Sequence, residues 1–235
     1  MSSWSILCDF DGTIAVEDVT DVILERFARP GWRAIEDKWR DGQLSSRLCM
    51  QQQVSLLDMS LDELDEAIDD IRIDPAFPAF VHAVQRTGWS ICVVSDGLDY
   101  AIRRILSQYG LEALPIYANH LTQTGTRSWR LDSPWAASGC SVDSGTCKCA
   151  RARLVSTAQQ RTLLVGDGAS DFCAAEHVDF VFAKHRLIEH CRAHNLHHVP
   201  IVGFDDAIHF LPALKHSSEK IHQSALQSLE LRPHA

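Results

Sequence analysis

The chain has 235 residues, 46% of them hydrophobic and 23% charged, the balance of an ordinary globular protein with one large domain or a domain carrying an insertion. A formal net charge of −9 excludes a general affinity for nucleic acid, which needs a basic face. No apolar run approaches the roughly 20 residues of a membrane helix, and the first residues lack the basic segment and cleavage site of an export signal, so a cytoplasmic protein with its eight cysteines reduced is expected.

Residues 5–8 read as a short buried strand that runs into Asp9 and Asp11 of "CDFDGT". From Asp18 to about Ile73 the apolar spacing is helical with almost no strand signal, and Ser60 with Glu63 makes a capping-box pair ahead of "LDELDEAIDDI". Pro75 and Pro78 restart the chain, and the helix over 76–88 is expected to end near Gly88. Strands and helices then alternate. A strand covers 89–95, a helix 98–110 and a strand 114–119, followed by a hairpin over 120–132 turning at Thr124-Gly125. Helix 146–160, strand 161–168, helix 169–178, strand 179–183, helix 184–195, strand 198–202 and helix 204–215 complete the series. The tail from Ser217 is polar and reads as frayed or helical.

This alternation predicts an α/β fold. Residues 1–15 and 76–235 form a Rossmann-like core, a parallel sheet covered on both faces by helices, with a helical segment, 16–75, inserted after the first strand. Ligands of such sheets sit beyond the carboxyl ends of the strands. Three strand ends carry polar residues there: Asp9 and Asp11, then Ser95 to Gly97 of "VVSDG", then Asp167 and Asp171 of "GDGASD". Lys148, in "GTCKCA", stands near a helix start between the last two.

The i, i+2 spacing projects Asp9 and Asp11 to one side of an extended chain. With Asp167 they form a cluster of acids that needs a hard, oxygen-preferring cation such as Mg²⁺. The Ser95 hydroxyl, the Gly97 N–H and the Lys148 charge supply what a phosphoryl group requires, namely positioning and charge stabilisation.

"DFDGT", a serine after an apolar strand, a lysine and "GDGASD", in this order, resemble the haloacid dehalogenase superfamily in its Mg²⁺-dependent phosphatase branch. The resemblance spans nearly the whole chain and makes 16–75 the helical cap. It implies that Asp9 is a nucleophile forming an aspartyl-phosphate and that Asp11 is general acid, then base. Ser95 and Lys148 would hold the phosphate. Asp167, Asp9 and the Asp11 backbone carbonyl would ligate Mg²⁺, and Asp171 would support the metal's waters or Lys148. True dehalogenases lack the second aspartate of the first motif, so Asp11 favours phosphoryl transfer.

"CDFDGTI", "GTCKC" and "FAKHRLIEHCRAHNLHHVPIVGF" look more narrowly like the methionine-salvage group, whose phosphatases act on 2-hydroxy-3-keto-5-methylthiopentenyl-1-phosphate. In the neighbouring phosphoserine phosphatases a cap stretch ending "RVSLL" offers an arginine to the substrate carboxylate. Here it reads "QVSLL", and the neutral amide of Gln53 is no cationic fork. The expected partner is a small phosphorylated metabolite, with a homodimer as a candidate assembly. A catalytically silent phosphate-ester-binding protein and a phosphotransferase stay open as alternatives.

Other features read more plainly. Glu17 and Asp18 suit a helix cap, and Met50 and Met59 suit packing. Arg47, Gln53 and Trp129 are candidates for shaping the substrate space. The spacing of Cys140, Cys147 and Cys149 is not that of a zinc ribbon and fits packing or a local thiol pair beside Lys148. His190 and His194, four apart on a helix, offer two metal-ligating rings on one face, but with His197 and His198 close by they read more plainly as a solvated histidine-rich surface.

Overall fold

The computed structural model describes residues 3–156 and 160–215; the expectation for the polar tail lies outside them. Among the described residues seven strands form one sheet in the order β4-β3-β2-β1-β5-β6-β7. The strands are β1 (Ser3–Cys8), β2 (Ser90–Leu98), β3 (Ile116–Gly125), β4 (Ser128–Asp132), β5 (Gln160–Gly166), β6 (Phe180–Ala183) and β7 (His198–Pro200). All neighbours pair in parallel except β3 and β4, the hairpin at one edge.

The helices α5 (Phe77–Arg86), α6 (Asp99–Ser107) and α10 (Phe204–Leu214) cover one face, and α7 (Lys148–Val155), α8 (Ala169–Ala175) and α9 (His185–Ala193) cover the other. Alternation along β1 shows why two faces form. Trp4, Ile6 and Cys8 join the first apolar cluster and Leu7 the second, and all four are buried.

Residues 16–75 fold into α1 (Val19–Phe27), α2 (Trp32–Arg40), α3 (Ser46–Ser55) and α4 (Leu61–Asp69). The capping box at the start of α4 is complete: the Glu63 N–H donates to Ser60 Oγ, and the Ser60 N–H donates to Glu63 Oε2. These helices share the larger apolar cluster with the sheet, through Ile23, Leu24, Val54, Leu64 and Ile68. Polar ties add to it. Trp129 Nε1 donates to the Met59 carbonyl at 2.9 Å, and Arg127 bonds Asp58 and Glu63.

Two expectations change. The hairpin reverses at Thr126-Arg127, two residues beyond the expected Thr124-Gly125, because Gly125 still pairs with Ser128. The buried cross-strand pair Leu121–Leu131 sets that register, and a shift would expose both side chains. Cysteine pairing also differs: Cys149 on α7 and Cys173 on α8 are joined by a disulfide, with Cα atoms 6.2 Å apart, where free thiols were expected. The seam between two helices, invisible in a 24-residue separation, brings them together.

Candidate active site

β1 lies in the middle of the sheet, flanked by β2 and β5, so their three carboxyl ends adjoin. The Asp9 N–H donates to the Val165 carbonyl at 2.9 Å and carries the β1–β5 ladder one residue further. The chain then curls: the N–H groups of Thr13, Ile14 and Ala15 all donate to the Phe10 carbonyl, around a fully buried Phe10 ring. Gly12 turns with φ +69°, where a Cβ would stand 2.7 Å from Asp167 Oδ2. Only glycine meets both demands.

Asp9 is buried. Its Oδ1 accepts from the Phe10 N–H at 2.7 Å, and its Oδ2 lies 2.7 Å from Lys148 Nζ and accepts from Ser170 Oγ at 3.4 Å. Lys148 is the first residue of α7, with its side chain folded inward. Its Nζ also donates to Asp171 Oδ1 at 2.7 Å and Ser170 Oγ at 3.0 Å. Asp171 is fully buried, and its Oδ2 accepts from the N–H groups of Asp167 and Gly168. Both oxygens of Asp171 are thus engaged, one with Lys148 and one with backbone. Asp167 keeps one bond, from Thr13 Oγ1 at 3.1 Å.

Carboxylate oxygens of Asp9, Asp167 and Asp171 lie within 4.8 Å of one another. Burial first, and then the charge of Asp171, push the Asp9 carboxyl well above the usual range, against the pull of Lys148. Burial and Asp171 raise Asp167 too. For Lys148, burial favours loss of the proton, yet Asp171 and Asp9 outweigh it and hold the ammonium charged. Three carboxylates against one ammonium leave two negative charges uncompensated in a buried place. An all-oxygen donor set in that state fits a hard divalent cation, and Asp167, with a single hydrogen bond, has the oxygens least committed elsewhere.

Asp11 stands beside Asp9 in a different environment. Its Oδ1 accepts from the Val19 N–H at 2.9 Å, at the start of α1, and its Oδ2 faces Ser95 Oγ at 3.5 Å. Burial, then the charge of Asp18, lift this carboxyl to about 7, partly opposed by the Val19 N–H. Ser95 is fully buried at the edge of an irregularity: the β2–β3 register shifts between Val94 and Leu98, which frees Ser95 to Gly97 from the ladder. The Gly97 N–H donates to Ser95 Oγ at 2.9 Å, so the amide expected to face a phosphate is engaged with the serine here.

These groups line a cavity of about 530 Å³ between the sheet rim and the inserted helices. The helices contribute Asp18, Glu36, Arg40, Met50 and Gln53 among others. Two candidates for shaping this space do not reach it. Trp129 is buried against Met59, and Arg47 is clamped by Asp143 through two bonds of 3.0 and 3.1 Å. Asp18 caps α1, accepting from the Asp21 N–H, as its position suggested.

Several participants had no separate signal in the sequence. Ser170 was visible only as the serine inside "GDGASD". Asp96, in the second strand's motif, organises the rim: it accepts from Ser46 Oγ of α3 at 2.8 Å and from the Thr146 N–H at 2.9 Å. One carboxylate thus ties the helical insertion and the segment leading to Lys148 to the end of β2. Thr146 lines the cavity, and its Oγ1 is buried without a hydrogen-bond partner. Lys184 is buried behind the first loop, its Nζ donating to the Thr13 carbonyl at 3.1 Å. Cys140 and Cys147 are free thiols: the Cys140 sulfur contacts Ser144 Oγ at 3.3 Å, and the Cys147 sulfur accepts from the Ala150 N–H at 3.4 Å.

The arrangement defines a class. The chain belongs to the haloacid dehalogenase-like hydrolase family, whose model matches residues 6–176. Among curated proteins it is 32% identical over 207 residues to a 2-hydroxy-3-keto-5-methylthiopentenyl-1-phosphate phosphatase of Exiguobacterium sp., covering 87% of this chain and 95% of that one. A phosphatase of the same name from Bacillus velezensis is 31% identical, with 86% of each chain covered. Among solved structures, a substrate-bound phosphoserine phosphatase complex superposes with a TM-score of 0.65 at 18% identity, over 89% of this chain and 99% of that one. A probable phosphoserine phosphatase from Vibrio cholerae reaches 0.69 at 18% identity, over 94% and 67%. At such identity these two structures speak for the fold. Among the described residues no helix is long and apolar enough to cross a membrane.

Proposed function

We propose that this chain is a Mg²⁺-dependent phosphomonoesterase that works through an aspartyl-phosphate on Asp9. Its substrate would be a small phosphorylated metabolite of the kind named for its relatives, 2-hydroxy-3-keto-5-methylthiopentenyl-1-phosphate. The convergence of Asp9, Asp11, Ser95, Lys148 and Asp167 on one cavity wall carries this reading. Residues 16–75 act as the cap that closes over that wall and excludes bulk water.

In this mechanism an Asp9 oxygen attacks phosphorus and the bond to the ester oxygen breaks. Asp11, protonated near neutrality, passes its proton to the departing oxygen. Asp11 then takes a proton from water, whose oxygen attacks the same phosphorus and releases phosphate from Asp9. Ser95 and Lys148 hold the phosphoryl oxygens, with Gly97 joining once its amide leaves Ser95. Thr146, a lining residue whose Oγ1 is buried and unpartnered, would be a further donor. Asp171 spends both oxygens on Lys148 and backbone, so its part is to aim the lysine. A Mg²⁺ held by Asp9 and Asp167 would supply charge neutralisation for the phosphoryl group.

Phosphate release from a panel of esters with Mg²⁺ present tests this, with methionine-salvage intermediates and phosphoserine included. Preference for the methylthiopentenyl phosphate is the expected result. Preference for phosphoserine overturns the substrate assignment. Binding without turnover overturns the enzymatic one, and a phosphorylated acceptor in place of free phosphate marks a transferase.

A further inference from the structure

The paired histidines of α9 face the end of a neighbouring helix. α8 and α9 lie side by side, and near their carboxyl ends one ligand atom each of Glu176, His190 and His194 lies within 4.8 Å of the other two. His190 and His194 are one helical turn apart, a spacing that puts both rings on the same side. Glu176, the residue that ends α8, faces them, its Oε1 3.6 Å from His190 Nε2.

His190 Nε2 is buried and has no hydrogen-bond partner. His194 Nδ1 lies 2.9 Å from the His190 carbonyl oxygen, and a carbonyl can only accept, so Nδ1 of His194 carries the proton and its Nε2 is the bare nitrogen. A ring N–H bonded to a carbonyl behind a bare Nε2 is the outer-shell arrangement of metal-bound histidines. The His190 ring is also held in place, stacked on Phe172 with centroids 4.2 Å apart, and the His194 ring lies tilted against it at 4.1 Å.

We propose that Glu176, His190 and His194 form a binding site for a transition-metal dication of the Zn²⁺ class, with a remaining position for water. Two imidazole nitrogens and one carboxylate oxygen suit Zn²⁺ and are poor ligands for Mg²⁺, so the site is chemically distinct from the acid cluster at Asp9. The ion would staple the end of α8 to α9. The first turn of α8 carries Ser170 and Asp171, so the staple braces the helix that aims Lys148.

Calorimetric titration of the tag-free full-length protein with Zn²⁺, in excess Mg²⁺ to keep the Asp9 cluster loaded, tests the proposal. One Zn²⁺ should bind. His194→Ala, at an exposed helix end, should weaken binding by more than the roughly 10–100-fold that losing an outer-shell partner brings, with an unchanged circular dichroism spectrum. Glu176→Gln should weaken it in the same direction. His177→Ala is the control for the neighbouring Cys149, Cys173 and His177 group and should bind as wild type. Bound Co²⁺ should show no thiolate charge-transfer band. Equal affinity in His194→Ala, loss in His177→Ala, a thiolate band or no binding by wild type would each overturn the assignment.

Discussion

Lys148 Nζ stands 2.7 Å from Asp9 Oδ2, and both side chains are almost wholly removed from solvent. The same ammonium lies 2.7 Å from Asp171. Desolvating these charges offsets most of what their attraction contributes, so the group is weak evidence for stability. Its consequence is positional: a cation is fixed against the carboxylate that faces the cavity, before any phosphate arrives.

Removing that cation leaves Asp9 and Asp171 buried and facing each other. Lys148→Met should lower the unfolding free energy by about 3–5 kcal/mol, the usual result of breaking a buried pair from one side. Urea denaturation monitored by circular dichroism measures it. Added Mg²⁺ should restore part of the loss if the acid cluster takes the ion.

Asp9→Asn should leave the fold intact and reduce phosphate release by at least ~10⁴-fold, the scale expected when a covalent nucleophile is lost. The variant is tolerable because burial already disfavours the charged form of Asp9, and Lys148 keeps Asp171 and Ser170 as partners. Near-normal turnover in this variant would rule out the covalent route.

Asp11 is pushed up to about 7, from an ordinary value of 3.8. The folded protein therefore holds this proton more tightly than the unfolded chain does. The stability it contributes is full below the unfolded value and is lost as pH rises through about 7. Asp11→Asn, which cannot ionise, should melt higher than wild type above neutral pH and closer to it in acid. Its activity should fall, and the wild-type rate should decline above pH ~7 by up to about tenfold per unit as the acid form disappears. Melting curves and a kcat/KM profile against pH give both readings.

Gln53 is buried and lines the cavity from α3. Gln53→Arg would place a bidentate cation on the α3 wall of the cavity, where the neutral amide now stands. The expected outcome is a lower KM for phosphoserine, by roughly tenfold for one well-placed charge-assisted pair. Unchanged KM values across the ester panel would show that this wall of the cavity does not touch the substrate.

Much of the site is legible in the sequence. Asp9, Asp11, Ser95 and Asp167 each follow an apolar run, and parallel strands end on one rim, so their meeting follows from the alternation of strands and helices. Lys148 was visible as a residue type near a helix start, but its contacts with Asp9, Ser170 and Asp171 were not, because they depend on how α7 and α8 pack. Asp96 could be seen beside Ser95, while its grip on both Ser46 and the Thr146 amide joins three segments that share no local pattern. Lys184 left no trace: a lysine after a short strand looks exposed until the chain folds over it.

Local chemistry in the sequence determined the sequence of elements, the parallel sheet with its helical insertion, and the residue types gathered at the strand ends. These follow from periodicity and turn chemistry, which act over a few neighbouring residues. Tertiary structure alone decided that Asp171 serves Lys148, that Arg47 and Trp129 turn away from the cavity, that Cys149 meets Cys173, and that Glu176 comes to face two histidines. Each of those outcomes depends on distances between side chains far apart along the chain, set by how helices seat on a twisted sheet.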